Sequence, residues 1–239
     1  MADVTEESKV TDVDREAFVE LVASFPIFGS SLAFLLRLSR DGKKSIFGLI
    51  TLLLIYPIVA FGDNILRKEA KDYPQDSEDL TALVENMFET MYNANGVGLA
   101  APQIGLSHRI FIVDSTQMDD EKESAKGIKR AFINPEILDE YGNEWSFEEG
   151  CLSIPDVHAE IMRPEKLTIH YYDELWNEHE EEFDEMTARV IQHEYDHLDG
   201  VLFTDYVKGL KKQMLRSKLV GISKGNVSVK YRMKFPVKK

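Results

Sequence analysis

Cysteine is nearly absent from this chain: its 239 residues contain one, Cys151. An internal disulfide is excluded, a reducing cytoplasm is the natural setting, and one thiol is left for chemistry or for packing as a small hydrophobe. A basic leader is missing too. The opening residues, "MADVTEESKVTDVDREAFVE", are too acidic for a signal peptide or an organellar transit sequence. No apolar run is plainly long enough for a bilayer, because the uncharged stretch from Ser45 to Gly62 falls just short of the roughly 20 residues a spanning helix needs. Pro57 and its neighbours in "IYPIVAFG" read better as the opening strand of a folded domain, so a membrane anchor is disfavoured. Acidic residues vanish after Asp205, although the whole chain carries a formal net charge of -14. Phosphate should repel the acidic bulk and attract the last segment.

With 44% apolar residues the chain can bury a real core, and its length favours one catalytic domain with extensions or two small domains. Leu80, Leu83, Val84, Met87, Phe88, Met91 and Tyr92 fall at helical spacing, with Asp76 and Ser77 as candidate N-caps and Asn95-Gly96 as the stop. "GVGLAAPQIG" follows, too rich in glycine for a helix, and leads into a strand from Arg109 to Val113. "STQMDDEKESAKGIK" is a charged surface loop, and further strands are expected at Ala131 to Ile133 and Lys166 to Tyr172. A second helix carries Met186, Val190, His193 and His197 on one face. Near the end, "NVSVKYRMKF" alternates Val227, Val229, Tyr231, Met233 and Phe235 with Ser228, Lys230, Arg232 and Lys234. That alternation predicts a half-buried strand with a basic outer face.

The second helix contains His193-Glu194-x-x-His197. Two histidines four apart lie on one helical face about a turn apart, so both imidazoles can reach one metal while the intervening Glu reaches a water held there. Two ligands do not complete a site. The metzincin peptidases extend the motif with a further His, and Phe203 stands at that position. A simple zincin needs a downstream carboxylate, and after Gly200 only Asp205 is acidic, too close to belong to a separate helix. The third ligand must lie upstream, among the other histidines, the acids and Cys151. Cys151 sits in the turn-like "EEGCLSIP", and its thiolate would complete a Cys-His-His set with the fourth tetrahedral position open.

Three segments now stand in order: "GVGLAAPQ" from Gly96 to Gln103, "EGCLS" from Glu149 to Ser153, and "QHEYDH" from Gln192 to His197. Together they resemble the peptide deformylases, which remove the formyl group from the N-terminal methionine of nascent bacterial proteins. The resemblance runs from about Leu54 to the C-terminus, and the joint occurrence of the three motifs is highly specific. It implies Cys151, His193 and His197 as metal ligands and Glu194 as acid/base. It further implies that Gln103 and the backbone N–H of Leu152 stabilise the oxyanion, and that Gly98 helps bind the peptide. The implied metal is one divalent ion, Fe(II) in the cell, with Zn(II), Ni(II) or Co(II) able to occupy the same ligands. Many family members carry Arg in the substrate groove seven residues after the cysteine; this chain has His158 there and keeps Arg163 five residues on. By position, Val97, Met186 and Val190 are candidates for the methionine pocket, with Glu149 near its rim. Asp196 is a structural partner for a cation such as Arg163, and His108, His158, His170 and His179 show no ligand spacing.

The expectation is an α+β metallohydrolase of the deformylase fold, mixed or antiparallel strands around a central metal-binding helix. Residues 54–239 form the catalytic domain with a basic C-terminal segment, behind an extension over residues 1–53. A metallopeptidase is the rival enzyme, disfavoured by Phe203 and by a thiol in place of a carboxylate. A ribosome-associated binding module is the rival without chemistry. It would close its metal with a fourth protein ligand and have no use for Glu194. The basic segment is expected to dock on ribosomal RNA near the emerging chain, against the alternative of a merely solvated basic face.

Overall fold

The computed structural model describes residues 54–75, 77, 80–118 and 127–236. Expectations for residues 1–53, among them the apolar run up to that point, and for the cap at Asp76 lie outside these. Among the described residues no helix is long and apolar enough to cross a membrane.

The first helix, α1, spans Leu80–Asn93 and buries Leu80, Val84, Met87, Phe88 and Met91, the stripe its spacing predicts. Before it, the Ser77 N–H donates to Pro74 O at 3.1 Å in a turn. The stop is where it was expected. Asn95 adopts φ 55°, and Gly96 N–H returns to Met91 O at 2.9 Å, closing the last turn.

A five-stranded antiparallel sheet runs in chain order: β2 (Gly98–Ala100), β3 (Ile110–Asp114), β4 (Lys129–Cys151), β5 (Ile154–Tyr172) and β6 (Glu178–Asp184). β3 is buried on both faces. Successive side chains on a strand point to opposite faces, so Ile110 and Ile112 join α1, while Phe111 and Val113 join α2 (Glu185–Leu198). The sheet is therefore sandwiched between the two helices. "GVGLAAPQIG" becomes β2 followed by a 3-10 helix from Ala101 to Ile104.

The expected three-residue strand at Ala131 to Ile133 is only the start of the much longer β4, because β5 continues to pair with it beyond β3. Register shifts along the pair begin between Ile133 and Glu136. There Asn134 takes φ 48°, its N–H bonds Arg109 O at 2.8 Å, and its carboxamide clamps both backbone groups of Tyr73. Such a bulge bends the strand. Beyond it β4 leaves β3 and runs with β5 to a two-residue turn at Leu152 and Ser153, closed by the Cys151–Ile154 pair.

After α2 come α3 (Phe203–Tyr206) and α4 (Gly209–Ser223). Phe203, Val207 and Ile222 pack with Ile154, Val157 and Ile161 of β5 in a third apolar cluster. The predicted final strand keeps its alternation of half-buried and exposed residues from Asn226 to Phe235. Only Met233–Lys234 form a ladder, as β7, because the parallel partner β1 is itself only Ile58–Val59.

Phe132 concentrates the packing beneath α2. It stacks on Phe111 at 4.6 Å, meets Tyr171 in a tilted ring contact at 4.4 Å, and is fully buried. Phe132→Ala should lower unfolding stability by about 3–5 kcal/mol in urea titration. A loss below about 1 kcal/mol would show that the sheet refills the space.

Candidate active site

β4 and α2 deliver the three expected metal donors to one point. Cys151 ends β4, while His193 and His197 lie one turn apart on α2. Their donor atoms all fall within 4.8 Å of one another, with Cys151 Sγ 3.3 Å from His197 Nε2. The imidazole rings are 5.2 Å apart and nearly perpendicular, which aims both at one centre. Burial, followed by the charge of His193, pushes His197 well below the ordinary imidazole range. One thiolate and two imidazoles match a soft-to-borderline divalent ion and leave a fourth position for a small ligand.

The hairpin is locked to α2 by Glu149, which sits at 5% exposure. Its Oε1 accepts from Arg163 Nε at 2.7 Å and Arg189 Nη1 at 3.0 Å; its Oε2 accepts from Arg163 Nη2 at 3.1 Å and pairs with His193 Nδ1 at 3.0 Å. Desolvation would raise the carboxyl pKa, but the hydrogen bonds and charges of His193 and Arg163 overcome it and hold the group well below the usual carboxylate range. With Nδ1 engaged by Glu149, Nε2 of His193 is left for a metal.

Glu149 borders the cavity, where it was expected near the rim, and both of its oxygens accept from cations. Arg163 is absent from the cavity lining: it is 5% exposed, spans Glu149 and, at 2.8 Å, Asp196, and lies over the Tyr206 ring. The Asp196 partnership is as expected. Arg189 is the member that sequence reasoning missed. The signal was a charged residue one turn before His193, set between the apolar Ala188 and Val190; it is now explained by Glu149, by the carbonyls of Trp145 and Ile161, and by the Trp145 ring at 4.4 Å.

Glu194 faces the same space at 5% exposure, and its Oε2 has no hydrogen-bond partner among the described residues. Burial pushes its carboxyl up to about 7. It fits because residue 98 is glycine: a Cβ on Gly98 would stand 2.5 Å from Glu194 Oε1. Gln103 is oriented by Ala100, whose N–H donates to Oε1 at 2.7 Å, leaving Nε2 to approach Cys151 Sγ at 3.4 Å. A cavity of about 500 Å³ opens onto this cluster, lined among others by Val97, Gly98, Leu152, Met186, Val190 and His158. Its size and largely apolar wall suit a side chain and a short peptide. Ser228 to Tyr231 also line it, which their alternation alone did not reveal.

Glu149→Ala should strand two buried guanidinium groups and free the His193 ring. Unfolding stability should fall by about 3–5 kcal/mol, and metal affinity, read by competition with a chelator, by roughly 10–100-fold. Unchanged affinity would mean that His193 needs no orienting partner.

Comparison with known proteins agrees with this geometry. The sequence profile of the family described as polypeptide deformylase matches residues 55–213. A peptide deformylase from Cytophaga hutchinsonii is 55% identical over 186 residues, covering 78% of this chain and 100% of the relative. One from Flavobacterium psychrophilum is 51% identical, with 78% and 100% covered. Among solved structures, a peptide deformylase from Legionella pneumophila superposes with a TM-score of 0.63 at 40% identity, covering 72% of this chain and 98% of the other. The Arabidopsis thaliana peptide deformylase 1B gives 0.64 at 34% identity, with 71% and 91% covered. The chain belongs to the polypeptide deformylase family, metal-dependent hydrolases that remove the formyl group from the N-terminal formylmethionine of nascent peptides.

Proposed function

We propose that in this deformylase Cys151, His193 and His197 hold the metal, Glu194 is the acid/base, and Gln103 with the Leu152 N–H receives the developing oxyanion. The convergence of three donors within 4.8 Å beside a buried carboxyl whose Oε2 has no hydrogen-bond partner among the described residues carries the reading. When bound, a divalent ion polarises the formyl carbonyl and makes water nucleophilic near neutral pH. Glu194, with its pKa at about 7, takes the proton from the attacking water and returns it to the departing methionine nitrogen. The Gln103 carboxamide, already oriented by Ala100, and the Leu152 N–H hydrogen-bond the oxygen as charge builds on it, each contributing about 3 kcal/mol. Val97, Met186 and Val190 receive the methionine side chain, and Gly98 lets the substrate backbone and Glu194 come close. Fe(II) is the metal that the family resemblance implies, and a thiolate with two imidazoles fits Zn(II), Ni(II) and Co(II) as well.

The decisive experiment measures formate release from a formyl-Met tripeptide, with metal analysis of protein purified without oxygen. Iron should predominate. Glu194→Gln should keep its metal and lose roughly 10²–10⁴-fold in turnover, whereas Cys151→Ala should lose tight metal binding. A Cys151→Ala protein with full metal content would overturn the ligand set. Activity in a chain starting at Leu54 would support residues 54–239 as the catalytic domain, whereas an inactive one would mean the extension is needed.

We further propose a cytoplasmic enzyme that docks on ribosomal RNA through its basic C-terminal segment. Only Leu215, Leu219 and Ile222 of α4 turn inward, while Lys211, Lys212, Arg216 and Lys218 are exposed. Phosphate contacts release counterions, so co-sedimentation with ribosomes should weaken steeply as salt rises. Lys211→Gln, Lys212→Gln and Arg216→Gln together should flatten that dependence and leave turnover of a short formyl peptide unchanged. Binding indifferent to both salt and these changes would leave the segment a solvated surface.

A further inference from the structure

The family match ends at residue 213, yet the chain beyond it returns to the cavity. Tyr231, eighteen residues later, donates its hydroxyl to Leu152 O at 2.7 Å. Leu152 occupies the two-residue turn between β4 and β5, directly after Cys151. A carbonyl on such a turn points away from the hairpin ladder and needs a partner from elsewhere. Both turn carbonyls find one beside the β1–β7 pair. Ser153 O accepts from Phe61 N at 2.9 Å, just after β1, and Leu152 O accepts from Tyr231, just before β7. The side chain of Leu152 is fixed too, since a Cβ on Gly96 would lie 2.8 Å from its Cδ1.

Tyr231 is itself anchored. Its ring packs against the apolar cluster under α1, and the next residue accepts from Ile58 N at 2.8 Å through Arg232 O. β7 then pairs with β1, and Ala60 N bonds Lys234 O at 2.9 Å. The phenol is therefore held by a small parallel ladder.

We propose that Tyr231 is a positioning residue for the reaction: its bond to the Leu152 carbonyl braces the turn, and with it the adjoining peptide unit whose Leu152 N–H faces the substrate oxygen. This rests on the reading of Leu152 as an oxyanion donor. An oxyanion donor acts only when it is already aimed at about 2.7–3.1 Å from where charge will develop. Without the Tyr231 hydroxyl, Leu152 O turns to solvent and the turn can tilt, which costs transition-state stabilisation while leaving the methionine pocket and the metal ligands in place.

The test compares Tyr231→Phe with Gln103→Ala in the full-length, metal-loaded enzyme, reading kcat and KM for a formyl-Met tripeptide, metal content and thermal midpoint. In Tyr231→Phe, kcat should fall about two- to tenfold, the size of one lost hydrogen bond, with KM and metal content unchanged. Gln103→Ala supplies the reference for losing a donor directly. If Gln103→Ala loses kcat and Tyr231→Phe keeps it, the positioning role is wrong and the oxyanion reading stands. If neither loses kcat, the oxyanion reading fails and this proposal with it. A Tyr231→Phe protein that loses metal, or that melts earlier with kcat intact, assigns the hydroxyl to structure alone and overturns the proposal.

Discussion

The carboxylate of Glu149, shared among Arg163, Arg189 and His193, is the interaction through which the hairpin and the helix come to share one site. Glu149 and Cys151 stand two apart at the end of β4, so the strand that binds the helix through one side chain also carries the thiol that meets His193 and His197. Charge burial of this kind is costly unless every group is paired. Here Arg189 spreads its remaining donors over the carbonyls of Trp145 and Ile161, and Arg163 takes Asp196 as a second anion.

Two carboxyls flank His193, and their surroundings divide the work. Glu149 has cations on both oxygens and stays ionised; Glu194 is as deeply buried, lacks a partner for one oxygen, and rises to about 7. A carboxyl poised near the working pH can take and return a proton, whereas one held ionised can only orient. Gly98 permits the difference. Its missing side chain lets β2 come against Glu194 and strip it of water without supplying a cation to hold its charge.

Much of the site was legible in the sequence because its residues are named by short-range spacing. The turn of helix between His193 and His197 fixes their common face, the failed downstream ligand sends the search upstream, and Cys151 is the lone thiol. The stripe of α1 and the Asn95-Gly96 stop were legible for the same reason, being set by period and by local φ. Legibility ended where long-range pairing decides. The full extent of β4 rests on β5, and the roles of Glu149, Arg163 and Arg189 rest on meeting across separations that no local pattern encodes. Burial of a guanidinium pair was hidden because either Arg alone reads as a surface residue.

The C-terminal run separates two duties by parity. In an extended segment alternate residues face opposite ways, and from Asn226 to Phe235 the half-buried positions carry Val227, Val229, Tyr231, Met233 and Phe235 while Lys230, Arg232 and Lys234 stay exposed. One face can therefore brace Leu152 as the other presents positive charge. α4 has no such division: its inward stripe is only Leu215, Leu219 and Ile222, and Leu210 and Met214 stand 72% and 70% exposed among its lysines. A narrow apolar seam is enough to seat a helix on the domain. It leaves the rest of the circumference, apolar and cationic together, turned away from the fold. The cations of that surface come from a segment with no acidic residue after Asp205, on a chain whose formal net charge is -14.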